Sequence, residues 1–174
     1  KCTNDPGAAV KLFSPFPDAM VGIPTGPLNG ITVVDIDQRD GIDGIKTIED
    51  LGLERLVLYP VVQTPSGGLH FYISTPDKQY SSSAGFVGPG IDIRGKGGYI
   101  IGPGSISVNG AYEQISSLEK FKNNTYPMIH ELREVLERPR TRKSYSSFNT
   151  SRLTDNVSEG SRNVELTKRC GYLL

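Results

Sequence analysis

Alternating apolar and polar residues between positions 31 and 115 predict a series of short β-strands. The first is an apolar, β-branched run that ends in two aspartates. Two later segments place leucine, isoleucine or phenylalanine on one face and polar side chains on the other. The predicted strands are 31–37, 57–63, 68–73, 90–95 and 99–101, with 111–115 as a possible sheet edge.

Three other segments space their apolar residues as helices do. Segment 45–53 predicts a short helix closed by a glycine, 126–136 predicts a second helix, and 164–174 predicts a third that is amphipathic. Prolines predict irregular structure in the first thirty residues and a polar loop is expected at 38–44. The basic run 138–143 and the serine-rich stretch after it predict a flexible linker.

Composition narrows the class of protein. The 20 glycines and 12 prolines favour turns and short strands over a helical bundle. Because 19 basic residues balance 19 acidic ones, any contact with nucleic acid must depend on a local basic patch. No apolar run approaches the roughly 20 residues of a membrane span. The two distant cysteines, Cys2 and Cys170, argue against a zinc site or a disulfide scaffold and favour a cytoplasmic location.

Carboxylates are the first candidate site residues. Asp35 and Asp37 are two apart in a strand, so they share one face and lie about 7 Å apart at Cα. Like charges at that spacing favour a cation between them, and hard oxygen ligands favour Mg²⁺ or Mn²⁺. The alternative is that they end a strand and open a turn. Asp92 supplies a third carboxylate if its strand neighbours the first, or else is a solvated residue paired with Arg94.

The remaining candidates suit phosphate groups. A glycine-rich turn with Ser66 leads to His70, whose imidazole can donate to a triphosphate oxygen. Without these neighbouring motifs, a lone histidine is more often structural than catalytic. Glycines around Arg94 and Lys96 allow charge and backbone to approach phosphates closely, and Ser105 completes this group. The alternative for that segment is an exposed basic hairpin.

Three motifs follow one another in the order strand-Asp-x-Asp, Ser-Gly-Gly-Leu-His and Ile-Asp-Ile-Arg-Gly-Lys-Gly-Gly-Tyr-Ile-Ile-Gly-Pro-Gly-Ser. Over residues 20–116 this order resembles the bifunctional primase–polymerase domain of the archaeo-eukaryotic primase superfamily, found in plasmid, phage and prophage replication proteins. The segment Val21–Gly26 is similar to the family's opening. The chain departs from the family in having no tryptophan, since members often carry a Trp-containing helix near the start.

The resemblance implies an α/β fold, in which an RRM-like mixed or antiparallel sheet with packed helices adjoins a second small α/β unit, followed by a C-terminal helical segment. Together with the change of composition after Ser117, it predicts a catalytic domain at 1–118 and a helix with a basic linker at 119–144. Residues 145–174 are then expected to begin a primase C-terminal helical domain.

The resemblance also assigns roles to individual residues. It implies that three acids are catalytic and hold Mg²⁺ or Mn²⁺, namely Asp35, Asp37 and Asp92. It implies that five residues bind the nucleotide, namely Ser66, His70, Arg94, Lys96 and Ser105.

The implied activity is DNA-templated nucleotidyl transfer. Such a primase–polymerase would synthesise or extend primers from nucleoside triphosphates by a two-metal mechanism during replication of mobile elements. Its partners would be a single-stranded DNA template, a primer, NTPs or dNTPs and a helicase domain or protein, with no membrane. Two alternatives stay open: a metal-dependent nuclease or phosphodiesterase, and a non-catalytic RRM-like nucleic-acid-binding module.

Overall fold

A six-stranded antiparallel sheet lies at the centre of the structure, a computed structural model that describes residues 3–39, 41–123 and 128–139. The strands are β1 (Gly22–Pro24), β2 (Ile31–Ile36), β3 (Gln38–Arg39), β4 (Ile42–Asp43), β5 (Val61–Gln63), β6 (Leu69–Ser74), β7 (Ser83–Gly88), β8 (Ile91–Arg94), β9 (Tyr99–Ile101), β10 (Ile106–Ser107), β11 (Gly110–Ala111) and β12 (Glu113–Gln114). The helices are α1 (Pro6–Phe13), α2 (Gly44–Asp50), α3 (Leu118–Lys122) and α4 (His130–Glu137), with a 3-10 helix at Glu54–Leu58.

The strand order of the main sheet is β12-β5-β6-β2-β8-β7. Every neighbouring pair in it is antiparallel. The other strands of the described residues form three ribbons of two strands each, β1–β9, β10–β11 and β3–β4. The predicted α/β class, with helices packed on a sheet, is confirmed.

The two faces of the sheet differ in what covers them. Val34 and Ile36 of β2 enter a large core that also contains Leu132 of α4 and residues of α2 and the 3-10 helix. Val33 instead joins a smaller cluster with Tyr72 and with Ile100 of β9. Because side chains alternate along a strand, the next residue on the Val33 face of β2 is Asp35.

The N-terminal segment corrects one expectation, because it forms α1 and β1 and is not irregular throughout. Pro6 occupies the first turn of α1, where a missing N–H group leaves no hydrogen bond unmade. The Asp5 side chain caps this helix by accepting the N–H of Gly7 at 2.9 Å. Proline breaks a helix in its interior, whereas at this position it starts the helix.

Other boundaries differ for reasons of pairing. The expected polar loop at 38–44 contains the β3–β4 ribbon. The first two residues of the expected strand 57–63 belong to the 3-10 helix, and β5 begins only at Val61. Strand β7 was not predicted, because its sequence Ser-Ala-Gly-Phe-Val-Gly lacks alternation and its conformation depends on pairing with β8. Helix α3 was also not predicted; its N-cap serine accepts a backbone N–H.

Helix α4 lies in the same compact unit as the sheet, which extends over Lys1–Arg138. It confirms a helix within the expected segment 126–136, although it begins only at His130. The expected linker beyond residue 139 and the expected helix 164–174 lie outside the described residues, so the domain boundaries stay predictions. Among the residues described, no helix is long and apolar enough to cross a bilayer.

Candidate active site

Three of the predicted site residues lie side by side on the central strands. Asp35 of β2 is directly opposite His70 of β6 on one side and Asp92 of β8 on the other. Residues opposite each other on antiparallel strands project to the same face, with Cβ atoms about 4.5–5.5 Å apart. The condition set for Asp92, that its strand neighbours the strand of Asp35, is therefore met.

Arg94 joins two of these side chains. Its Nε and Nη2 donate to Asp35 Oδ2 at 3.1 and 3.0 Å, and the same Nη2 donates to Asp92 Oδ2 at 3.0 Å. Asp35 Oδ1 lies 3.3 Å from His70 Nε2, and Asp92 Oδ1 accepts the backbone N–H of Gly85 at 3.0 Å. Asp35, His70 and Asp92 thus form a row of site residues, which we call the acid row. The pairing of Asp92 with Arg94, one of the two alternatives for Asp92, is present as well.

Burial and the neighbouring charges set the protonation of this row. Burial acts to raise the pKa of Asp35, but its contacts with His70 and Arg94 outweigh burial, and the pKa lies below its usual value. Burial raises the pKa of Asp92 above its usual value, and the like charges of Asp35 and Asp37 add to that effect. Burial lowers the pKa of Arg94, but the acids reverse this, so its guanidinium stays charged.

His70 is a buried polar residue, 5% exposed. Its Nδ1 atom has no hydrogen-bond partner among the residues that the structure describes. Its ring lies 5.9 Å from the ring of Tyr112, centroid to centroid. Burial, followed by the charge of Asp35, raises the pKa of the Tyr112 hydroxyl, which therefore stays protonated at neutral pH. Tyr112 lies between β11 and β12, and sequence reasoning missed it because nothing in the expected edge segment 111–115 distinguishes it from its neighbours.

Asp37 lies just beyond the end of β2 and is held by its backbone. Its N–H donates to the Gly90 carbonyl at 2.8 Å, and its own carbonyl accepts the N–H of Gly44 at 3.0 Å. Its Oδ2 lies 2.6 Å from Nη2 of Arg39. Each of the three predicted metal-binding acids is therefore paired with an arginine.

An open cleft of about 580 Å³ lies beside Asp37, between the β3–β4 ribbon and the glycine-rich turn. The Ser66 hydroxyl in that turn lies 3.0 Å from the Thr64 hydroxyl. The residues that line the cleft are Gln38, Arg39, Gly41, Ile42, Asp43, Ser66 and Gly67. Sequence reasoning missed Gln38 and Arg39, although their position directly after the Asp-x-Asp motif was a usable signal.

The last two predicted residues are placed differently. Lys96 is exposed, and its backbone N–H donates to the Tyr80 carbonyl at 2.7 Å. Ser105 is 6% exposed, and its hydroxyl accepts the N–H of Val21 at 3.0 Å. Its carbonyl accepts the N–H of Tyr112, which links it to the row through the ring beside His70.

The carboxylates have the chemistry of a site for Mg²⁺ or Mn²⁺, because both ions prefer oxygen donors. In the described part of the chain, however, no group of three or more His, Cys, Asp or Glu side chains is arranged to hold a metal ion. Arg94 lies between Asp35 and Asp92, where a shared cation would bind. By donor type the acids suit a divalent ion, but the position between Asp35 and Asp92 is taken by the Arg94 guanidinium.

Comparison with known proteins agrees with the ordered motifs. The family model described as bifunctional DNA primase/polymerase, N-terminal, matches residues 1–140. No curated protein matches the sequence. The match includes the whole acid row, the glycine-rich turn and helix α4. Because it covers most of the 174 residues, the chain belongs to the bifunctional DNA primase/polymerase family.

Proposed function

We propose that this chain is a DNA-templated nucleotidyltransferase that synthesises or extends primers from nucleoside triphosphates. Membership of the family supports a primase/polymerase type of function in general. One observation carries the proposal of nucleotidyl transfer. Asp35 lies opposite both His70 and Asp92 on neighbouring strands, and Arg94 forms ion pairs with the two acids. Acids and cations on one sheet face suit a reaction between a hydroxyl and a triphosphate.

The carboxylates of Asp35, Asp37 and Asp92 are proposed to hold Mg²⁺ or Mn²⁺. Family members typically depend on metal ions. When bound, the ions would supply Lewis acidity to the primer 3′-hydroxyl and charge neutralisation to the triphosphate. Because Asp35 keeps a low pKa, it remains ionised and available as a ligand at neutral pH.

The polar residues around the acids are proposed to bind and orient the triphosphate. Arg94 and Lys96 supply positive charge where negative charge accumulates on the leaving pyrophosphate. Ser66 contributes a hydroxyl from the cleft beside Asp37, and the His70 imidazole contributes from the row itself. Ser105 positions the segment before β1 and the Tyr112 backbone.

Contact with the template strand is proposed to depend on local basic patches. The net charge of the chain is zero, so we expect weak, salt-sensitive binding. The helicase partner, the mobile-element context and the cytoplasmic location stay predictions from the sequence.

Primer extension tests this proposal. We compare the wild-type chain with Asp35→Asn and with a control, Asp50→Asn, in the presence of Mg²⁺ or Mn²⁺. Asp50 is an exposed acid on α2 that pairs with Lys46 at 3.2 Å. Loss of a metal-holding acid is expected to lower extension on the order of 10³-fold, since metal catalysis contributes several kcal/mol. The control is expected to extend primers like the wild type.

Binding of dNTPs, measured on the same samples, separates the alternatives. Extension by Asp35→Asn at the wild-type rate would contradict the role of that acid. Cleavage of DNA without dNTPs would favour a nuclease. Metal-independent binding of single-stranded DNA, with no dNTP binding and no effect of Asp35→Asn, would indicate a non-catalytic binding module.

A further inference from the structure

We propose that Arg94 is a displaceable counterion: its guanidinium occupies the position of a divalent cation between Asp35 and Asp92 and leaves when the metal binds. This inference rests on the proposed function, because it concerns how the same site exchanges its cations. It gives Arg94 two successive partners, first the acids and then the phosphates of the nucleotide.

The hydrogen bonds show which oxygen atoms are in competition. Asp35 Oδ1 faces His70 Nε2 at 3.3 Å, and Asp92 Oδ1 accepts the Gly85 N–H at 3.0 Å. The two Oδ2 atoms are both bound to Arg94 Nη2, at 3.0 Å each. A metal ion shared by these two acids at their Oδ2 atoms must therefore take the place of Arg94.

The Arg94 side chain can leave without a movement of its strand. Its side chain is 36% exposed, against 14% for Asp35 and 18% for Asp92. The backbone that follows is held in place, because the Gly95 N–H donates to Ser82 Oγ at 3.0 Å and the chain lies close to the Tyr80 carbonyl. That same carbonyl accepts the Lys96 N–H. Rotation about the side-chain bonds of Arg94 is thus the movement that the packing permits.

Charge links the departure of Arg94 to the arrival of a metal. Two ionised carboxylates directly opposite each other on neighbouring strands repel, so a cation is needed between them. Once a divalent ion supplies that charge, the guanidinium is released within reach of a bound triphosphate. A planar guanidinium binds phosphate through two parallel N–H groups, which lysine cannot reproduce. Metal loading therefore prepares the site for the nucleotide.

Mn²⁺ titration without nucleotide tests the competition. The electron paramagnetic resonance signal of free Mn²⁺ gives the affinity of the wild-type chain, Arg94→Ala and Arg94→Lys. Removing the competing charge is expected to tighten Mn²⁺ binding about tenfold in Arg94→Ala, with a smaller gain in Arg94→Lys. Arg55→Ala is the matched control, because Arg55 pairs with Glu131 of α4 at 3.7 Å and belongs to an exposed ion pair. It is expected to leave the affinity unchanged.

A second measurement follows Arg94 in the wild-type chain, and a variant is used only to assign its resonance. The Nε–Hε resonance of Arg94 is assigned by its absence from the spectrum of Arg94→Lys, and Mg²⁺ is then added. We expect this resonance to move from a hydrogen-bonded position to that of a solvated guanidinium as Mg²⁺ saturates the site.

The possible negative results distinguish an error in the counterion role of Arg94 from an error in the proposed function. Wild-type Mn²⁺ binding with an unchanged or weaker affinity in Arg94→Ala would overturn the counterion role and leave the proposed function standing. An Arg94 resonance that stays in place at saturating Mg²⁺ would do the same. If the wild-type chain binds neither Mn²⁺ nor Mg²⁺, the metal-dependent function itself is wrong, and the counterion role falls with it.

Discussion

Gly68 is the point at which the glycine-rich turn approaches the central strand, and replacing it tests how the fold positions the site. A Cβ at this position would lie 2.2 Å from the carbonyl oxygen of Ile36 and 3.0 Å from the Thr64 hydroxyl. Gly68 is not among the glycines with positive φ, so its backbone conformation suits alanine as well. Gly68→Ala therefore tests space alone.

The expected magnitude follows from that distance. Because Cβ atoms essentially never approach other heavy atoms within 3.0 Å, β6 and β2 must separate by about 0.8 Å at this point. Overpacking of this kind destabilises a protein by about 1–3 kcal/mol. The same displacement passes through the pair Ile36 and Leu69 to the following pair, Asp35 and His70. A shift near 1 Å at reacting groups lowers catalytic rates roughly 10²-fold.

Urea denaturation followed by circular dichroism measures the free energy of unfolding, and primer extension measures the rate. Gly22→Ala is the control, because a Cβ there would lie 3.9 Å from Tyr99, an ordinary contact, and its φ is also not positive. The control is expected to unfold within about 0.5 kcal/mol of the wild type. Wild-type stability and extension in Gly68→Ala would refute the argument that this close approach sets the position of His70.

Three further predictions concern the packing of α4 on the sheet. Tyr59→Phe removes the hydroxyl that accepts the Ile129 N–H at 2.8 Å, and leaving that buried donor unpaired is expected to cost about 1–3 kcal/mol in urea denaturation. Burial raises the pKa of the Tyr59 hydroxyl in the folded chain. Above pH about 10 this hydroxyl therefore ionises first in the unfolded chain, and the free energy of unfolding falls. In Tyr59→Phe this decline at alkaline pH should be shallower. Leu132→Ala empties a fully buried position and should cost about 2–5 kcal/mol, whereas a near-neutral result would mean that α4 does not contribute to the core.

Local periodicity was enough to predict the polar face of the site. Segment 68–73 was expected to place Leu69, Phe71 and Ile73 opposite His70 and Tyr72, and β6 does so, with the apolar set in the larger core. Strand β8 likewise buries its isoleucines and turns Asp92 to the other face. Alternation succeeds here because the direction of a side chain depends on its own strand alone.

Periodicity was not enough for segments whose structure depends on partners elsewhere in the chain. Strand β7 has no alternation to detect and is paired with β8 through an irregular register. Helix α1 was missed for a different reason, since Asp5 and Pro6 are a helix start signal that the surrounding prolines obscured. The position of Arg39 directly after the Asp-x-Asp motif was a usable signal, but the cleft that it lines forms only when the β3–β4 ribbon meets the glycine-rich turn.

The sequence by itself determined which residue types carry the chemistry, which of them share a face of their strand, and the order of motifs that indicates the family. Only the tertiary structure decided that β2 lies between β6 and β8, so that Asp35 faces His70 and Asp92 at once. It also decided that Arg94 binds Asp35, 59 residues away, in addition to Asp92, whose pairing with Arg94 was one of the two alternatives from the sequence. The reason is physical: alternation is a local property of the chain, whereas strand neighbours and ion pairs depend on how distant segments bury their apolar faces together.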